Sequence, residues 1–167
     1  NRLLSQAISF YGEENTSSNN KKINNKISKI NTKLYKSVLT EKDLDKLIKN
    51  LNEKSLIAVD TETSSLNPLD ADLIGVSFSY APNEAFYIPI AHKKIKNMKK
   101  EIVIKKIKPI LEDPSIKKIG QNMKYDFIVF KKNGIEVEPV EDTMLLSYTL
   151  DAGNNRHNMD TLSEIHL

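Results

Sequence analysis

The sequence predicts an α/β domain built on a mixed sheet. Two observations carry this. Between residues 55 and 90, three strand-like apolar runs follow one another with only turn signals between them, the mark of an antiparallel β-meander. From Met98 onward, stretches with helical periodicity alternate with short apolar runs, which fits helices flanking the meander's sheet. The 167 residues suffice for one domain, or for one domain with a tail.

Residues 1–34 stand apart from the rest. Leu3, Leu4, Ala7, Ile8 and Phe10 have the spacing of a short apolar helix. Residues 12–25 are Gly, Glu, Asn, Ser, Thr and Lys with one Ile and no periodicity, and bury too little surface to offset chain entropy, so 1–34 reads as an N-terminal segment and interdomain linker. The domain proper is 35–167. Residues 35–39 alternate as a short strand, and Thr40 with Asp43 forms the start signal of a helix carrying Leu44, Leu47, Ile48 and Leu51 on one face. The run 55–60 is continuously apolar up to Asp60, as expected of a central strand covered on both faces. Strands follow at 73–78 and 85–90, joined by a turn at Ala81-Pro82-Asn83. Residues 98–112 read as a helix with Val103, Ile107, Ile110 and Leu111 inward and Pro109 near its end. A strand at 116–119 ends at Gly120. A helix at 122–132 is closed by Asn133-Gly134. A strand at 137–140, a helix at 142–150 and a helix beginning at Asp160 complete the chain.

Composition excludes several chemistries. There is no cysteine, so disulfides, zinc ribbons, iron–sulfur clusters and thiol nucleophiles are all ruled out. No apolar run approaches the roughly 20 residues that cross a bilayer. No leader sequence opens the chain, and a cytoplasmic protein without a membrane partner is expected. The net charge of +3 is too small to imply nucleic acid. Residues 93–118 hold ten Lys against three acidic residues. However, 23 Lys, 17 Asn and 19 Ile point to an AT-rich genome, so the run reads as a solvated helix face rather than a phosphate track. His92 and His166 read as surface residues.

The chemistry-bearing segment is Val59-Asp60-Thr61-Glu62-Thr63. Side chains alternate along a strand, so Asp60 and Glu62 project from one face. Two carboxylates that close repel, and a hard divalent cation held by oxygen ligands relieves the repulsion. A strand running out into an exposed loop gives the same pattern. An EF-hand register from Asp60 fails, because Ala71 would stand at the twelfth, bidentate position. On the helix expected at 122–132, Asp126 falls at 100° per residue among Met123, Phe127, Val129 and Phe130, within the apolar face. A carboxylate there must be paired, cap a backbone group, or bind metal.

Four segments occur in order: Val59-Asp-Thr-Glu-Thr-Ser-Ser-Leu66, Gly120-Gln-Asn-Met-Lys-Tyr-Asp126, Asp142-Thr-Met-Leu-Leu-Ser-Tyr148 and Arg156-His-Asn-Met-Asp-Thr-Leu162. Together they resemble the 3′–5′ exonuclease (proofreading) domain of bacterial DNA polymerase I, family A. The resemblance implies a ribonuclease-H-like exonuclease fold of the DEDD type and two Mg²⁺ or Mn²⁺ ions roughly 4 Å apart. It implies that Asp60 and Glu62 hold the first ion and that Asp60 and Asp126 engage the second. Thr63 and Leu66 would contact the terminal nucleotide. Gln121, Asn122 and Tyr125 would line a groove for a single-stranded DNA 3′ end. A 5′-nuclease domain before the segment and a polymerase domain after it are further implications, in a monomeric enzyme of replication and repair.

The sequence departs from that family at one point. The family's third motif, Tyr-x-x-x-Asp, lies several tens of residues beyond the second, and no Tyr-x-x-x-Asp occurs in these 167 residues; Tyr148 is followed four positions later by Ala152. The domain is therefore expected to be truncated at its C-terminal end, and the chain by itself to be a weak or inactive nuclease. Asp142 and Asp160 are the first candidates for a substitute ligand. His157 matches the family's Arg-His stretch, in a structural or DNA-facing role. Two other readings remain: a silent spacer domain of a polymerase, and a stand-alone RNA-trimming exonuclease of the same fold.

Overall fold

A computed structural model describes residues 32–153 and 155–166. The helix and linker expected before residue 32 lie outside the described residues. The elements run β1 (Leu34–Ser37), α1 (Glu41–Asn52), β2 (Leu56–Thr63), β3 (Leu73–Ala81), β4 (Glu84–Pro89), α2 (Lys100–Leu111), β5 (Lys117–Gly120), α3 (Lys124–Lys132), β6 (Val140–Asp142), α4 (Thr143–Leu150) and α5 (Met159–His166). They form one six-stranded sheet in the order β1-β4-β3-β2-β5-β6. β2, β3 and β4 pair antiparallel, as the spacing predicts. β1, β5 and β6 add to them in parallel, so the sheet is mixed.

Local chemistry accounts for most boundaries. Thr40 caps α1 by accepting from the Asp43 N–H at 3.2 Å. Asn83 takes the left-handed conformation (φ 63°) in the β3–β4 turn, where Asn costs little. Gly134 does the same (φ 76°) directly after α3. Pro109 is accommodated inside α2, and Glu112 N–H still reaches the Lys108 carbonyl.

The core lies on one side of the sheet. Register places Val59 beside Phe78 and Phe86, and Val76 beside Ile88. These residues join Leu44, Leu47 and Leu51 of α1, Val103, Ile107, Ile110 and Leu111 of α2, and Val129 and Phe130 of α3 in a single buried cluster. The alternate row on the opposite face runs Asp60–Ser77–Tyr87. The expectation that β2 is covered on both faces is therefore wrong. Ile57 and Val59 are buried, but Leu56 is 48% exposed, because α1, α2 and α3 bring their apolar residues to the first face only. Gly75 is needed on the open face, because a Cβ there would lie 2.0 Å from the Tyr87 hydroxyl.

Two further expectations need correction around α3. The helix begins at Lys124 rather than Asn122, and Asn122 sits in a left-handed turn (φ 58°) ahead of it. Phe127 is 37% exposed rather than in the core, while Asp126 is buried as predicted.

Candidate active site

β2 outruns its neighbour β5, and that mismatch creates the site. The parallel ladder ends at the Ala58–Ile119 pair, and Gly120 closes β5. A Cβ on Gly120 would lie 2.9 Å from the Val59 carbonyl, so glycine permits the tight turn away from β2 there. Beyond that point the Thr61 N–H has no strand on this side. It donates instead to Asp126 Oδ1 at 3.1 Å, and the Thr61 hydroxyl donates to the same oxygen at 2.5 Å. The first turn of α3 thus occupies the place that a longer β5 would take. This is one of the three roles the sequence left open for Asp126: it accepts a backbone N–H.

All eight predicted residues converge on one cleft. Asp60, Glu62, Thr63 and Leu66 line it from β2 and the following loop, and Gln121, Asn122, Tyr125 and Asp126 line it from the loop before α3 and its first turn. Asp60 and Glu62 are on the open face of the sheet, as their spacing requires. The Tyr125 hydroxyl donates to the Ser65 carbonyl and lies 2.5 Å from Thr63 Oγ1, so the two walls are tied together. Leu66 is 98% exposed at the rim. Gln121 lines the cleft, but its amide is already engaged: Nε2 donates to the His157 carbonyl at 2.8 Å, and Oε1 accepts from Thr143.

The electrostatics are those of crowded negative charge. Burial, then the Asp126 charge, then the Glu62 charge push the Asp60 carboxyl up to about 6. Burial raises the Asp126 carboxyl as well, against the two Thr61 hydrogen bonds that favour its charged form. Tyr87, on the open face of β4, is raised by burial and by Glu62.

The donors fit a hard divalent cation in kind. They are carboxylate oxygens whose charges repel, Asp126 and Glu62 both raising Asp60, and among the described residues none of the three forms a salt bridge. Among the described residues, no three acidic or imidazole side chains converge into a ready-made ligand cluster. One oxygen of Asp126 is committed to Thr61.

Neither substitute ligand stands ready. Both oxygens of Asp142 accept main-chain N–H groups, from Asn122 (3.0 Å), Met123 (2.8 Å), Met144 (2.9 Å) and Leu145 (3.4 Å). Asp160 is exposed on α5, outside the residues that line the cleft. His157 is buried, hydrogen-bonded through Nδ1 to the Ser147 hydroxyl (2.7 Å) and packed on Tyr148 with ring centres 3.9 Å apart. His92 is bonded to the Tyr87 hydroxyl at 2.5 Å rather than free at the surface, while His166 is exposed. Sequence reasoning missed Thr61, because a strand Thr between two carboxylates carries no signal of its own. It also missed the multiple bonding of Asp142, although an Asp just before a helical run is a readable cap.

Leu66→Ala should leave thermal stability unchanged, because the side chain is almost fully exposed. If Leu66 grips a terminal base, affinity for a single-stranded oligonucleotide should fall by a few fold, by about 1 kcal/mol of lost stacking at the low end of the usual range. Paired melting and binding curves check both halves.

Comparison with known proteins shows the family. A 3'-5' exonuclease family model of the DNA polymerase A type matches residues 35–167. The chain is 39% identical over 135 residues to DNA polymerase I of Pseudomonas aeruginosa, covering 77% of this chain and 15% of that protein. It is 40% identical over 135 residues to DNA polymerase I of Borreliella burgdorferi, covering 80% and 14%. The chain thus spans about one seventh of the length of these relatives. Among solved structures it is similar to Brucella melitensis NrnC bound to pGG (TM-score 0.58, 25% identity, 79% of this chain and 58% of that one). It also shares its fold with Escherichia coli RNase D, an exoribonuclease (TM-score 0.54, 24% identity, 68% and 28%). The mixed sheet, the carboxylate cleft and the family match across 35–167 lead to one conclusion: the chain belongs to the 3'-5' exonuclease family of DNA polymerase I.

Proposed function

We propose that residues 35–167 hydrolyse the terminal phosphodiester of a single-stranded or frayed DNA 3′ end, releasing a deoxynucleoside monophosphate, as the editing part of a longer DNA polymerase I. One observation carries the reading: Asp60, Glu62 and Asp126 stand in one cleft with uncompensated charge, beside an exposed apolar rim residue. Asp60, Glu62 and Asp126 would hold Mg²⁺ or Mn²⁺; such ions activate a water and stabilise the leaving 3′ oxygen. A solved structure of Brucella melitensis NrnC carries Mg²⁺, and that protein shares this fold.

The chain's own residues then have distinct tasks. Asp60 and Glu62 supply negative charge from the end of a rigid strand, which fixes their separation. Thr61 fixes the Asp126 carboxylate through two hydrogen bonds and favours its charged form. Tyr125 braces the loop that carries Thr63 and Leu66. Leu66 offers an apolar surface that any of the four bases can cover, which suits a site without sequence preference. A mismatched end frays more readily than a paired one, so a site built for single strands selects errors.

These 167 residues contain no Tyr-x-x-x-Asp, and among the described residues no three acidic or imidazole side chains are close enough to hold a metal ion ready-made, so the chain alone should cleave slowly. A misplaced water can cost about a hundredfold. The test uses a 3′-labelled single strand with Mg²⁺. The 167-residue chain and a version extended with a family third motif are compared on DNA and on RNA of the same sequence. Stepwise loss of mononucleotides from DNA, faster in the extended version, is expected. Absence of cleavage in both forms would make the domain a spacer, and faster cleavage of RNA would make it an RNA-trimming enzyme. The greater identity to DNA polymerases than to RNase D supports the DNA substrate.

A further inference from the structure

We infer that Asp142 is a positioning residue for strand binding: its carboxylate holds the loop before α3 in the left-handed turn that presents Asn122 to the cleft. The inference rests on the DNA-end reading above and adds to it a residue that lies outside the cleft lining.

The side chain sits where three segments meet. It ends β6 and caps α4, accepting from Met144 N–H at 2.9 Å and from Leu145 N–H at 3.4 Å. The same two oxygens reach across to the loop before α3 and accept from Asn122 N–H at 3.0 Å and Met123 N–H at 2.8 Å. Oδ1 accepts from Asn122, Met144 and Leu145 and Oδ2 from Met123, so both oxygens are engaged by main-chain donors. Asp142 therefore acts first as a structural acceptor.

Asn122 has φ 58°, a region that Asn enters at little cost. The Asp142 bonds hold Asn122 and Met123 there through their main-chain N–H groups. Gly120 and Gln121 are bound beside it through Thr143, whose hydroxyl donates to the Gly120 carbonyl at 3.1 Å and to Gln121. The result is a loop fixed to the start of α4 at four successive residues. Within the turn, the Asn122 side-chain oxygen is buried and has no hydrogen-bond partner, although the residue lines the cleft. The residue as a whole is half-buried and lines the cleft, so its side chain can meet an incoming strand while the turn holds it there. Without Asp142, the turn would relax toward an ordinary backbone and move that side chain away.

The experiment measures binding of a short fluorescein-labelled single strand in EDTA, where no cleavage competes. It uses the unsubstituted chain, Asp142→Asn, Asn122→Gly and the double variant, all at a temperature where melting curves show each to be folded. Asn at 142 keeps the volume but replaces one acceptor oxygen with a donor facing N–H groups. Asp142→Asn should weaken binding about tenfold and should speed amide exchange at Asn122 and Met123. In the Asn122→Gly background the same substitution should change affinity by less than about twofold, because the side chain through which it acts is gone. Equal affinities of Asp142→Asn and the unsubstituted chain would overturn the inference while leaving the DNA-end reading in place. Additive losses in the double variant would overturn it too, since they mean general support of the fold. An unsubstituted chain that binds no single strand would remove the DNA-end reading, and this inference with it.

Discussion

Replacing Asp126 with Asn is expected to slow removal of 3′-terminal nucleotides more than about a hundredfold while the protein stays folded. The isostere matters. Asp126 Oδ1 takes the Thr61 N–H and hydroxyl, and an Asn oxygen can take both in the same place. Only the charge is lost. Alanine would add a second effect, because the Thr61 N–H would lose its acceptor at a cost of about 1–3 kcal/mol if water does not replace it. The two variants therefore separate chemistry from folding: both should be inactive, but only Asp126→Ala should melt lower. Near-normal cleavage by Asp126→Asn would remove the carboxylate from the reaction. The charge change has a second readout. Asp126 is one cause of the raised Asp60 carboxyl, so Asp60 should titrate below about 6 in Asp126→Asn, observable by carboxyl-carbon NMR.

The second large effect is a gain of stability bound to a loss of activity. Asp60 titrates at about 6 in the folded chain against its ordinary 3.8, so the native state holds its proton more tightly than the unfolded chain does. Well below pH 3.8 the group is protonated in both states and costs nothing. Between about 4 and 6 the unfolded chain ionises first and folding becomes less favourable. Above about 6 the whole penalty is present. Asp60→Asn is neutral throughout, so its melting temperature should exceed that of the unsubstituted chain at pH 8 and approach it well below pH 3.8. Cleavage should be lost at every pH, since the neutral amide replaces a charged oxygen donor. Mg²⁺ should raise the melting temperature of the unsubstituted chain at pH 8 and do so less for Asp60→Asn, because the cation relieves repulsion that the variant lacks. Equal melting temperatures at pH 8 would mean that solvent already screens the three carboxylates.

This pairing of instability with function is common where like charges are gathered for chemistry. Here it follows from placement. Asp60 and Glu62 share the open face because of the two-residue strand period, and Asp126 approaches because β5 stops short. Among the described residues no Lys or Arg forms a salt bridge with Asp60, Glu62 or Asp126, even in a chain with 23 Lys.

The sequence by itself determined the element order, the antiparallel meander, the caps at Thr40 and Gly134, and the family. Each of these depends on residues close together in the chain: alternation, helical spacing, turn residues and short motifs. It also determined which eight residues would line the cleft, through the resemblance that the family match bears out. What it left open is what depends on distant segments meeting. The open face of β2 was not legible, because a run such as 55–60 looks the same whether helices cover one side or two. The turn at Asn122 was read as helix, because nothing local to Gln121-Asn122-Met123 forbids one; in the folded chain a carboxylate 20 residues further on accepts the Asn122 N–H. Asp126 was readable as a buried acid, but its acceptor role required Thr61, 65 residues away, to arrive beside it without a strand partner. Hydrogen bonds of this kind are set by where β5 ends against β2, and only the folded sheet fixes that register.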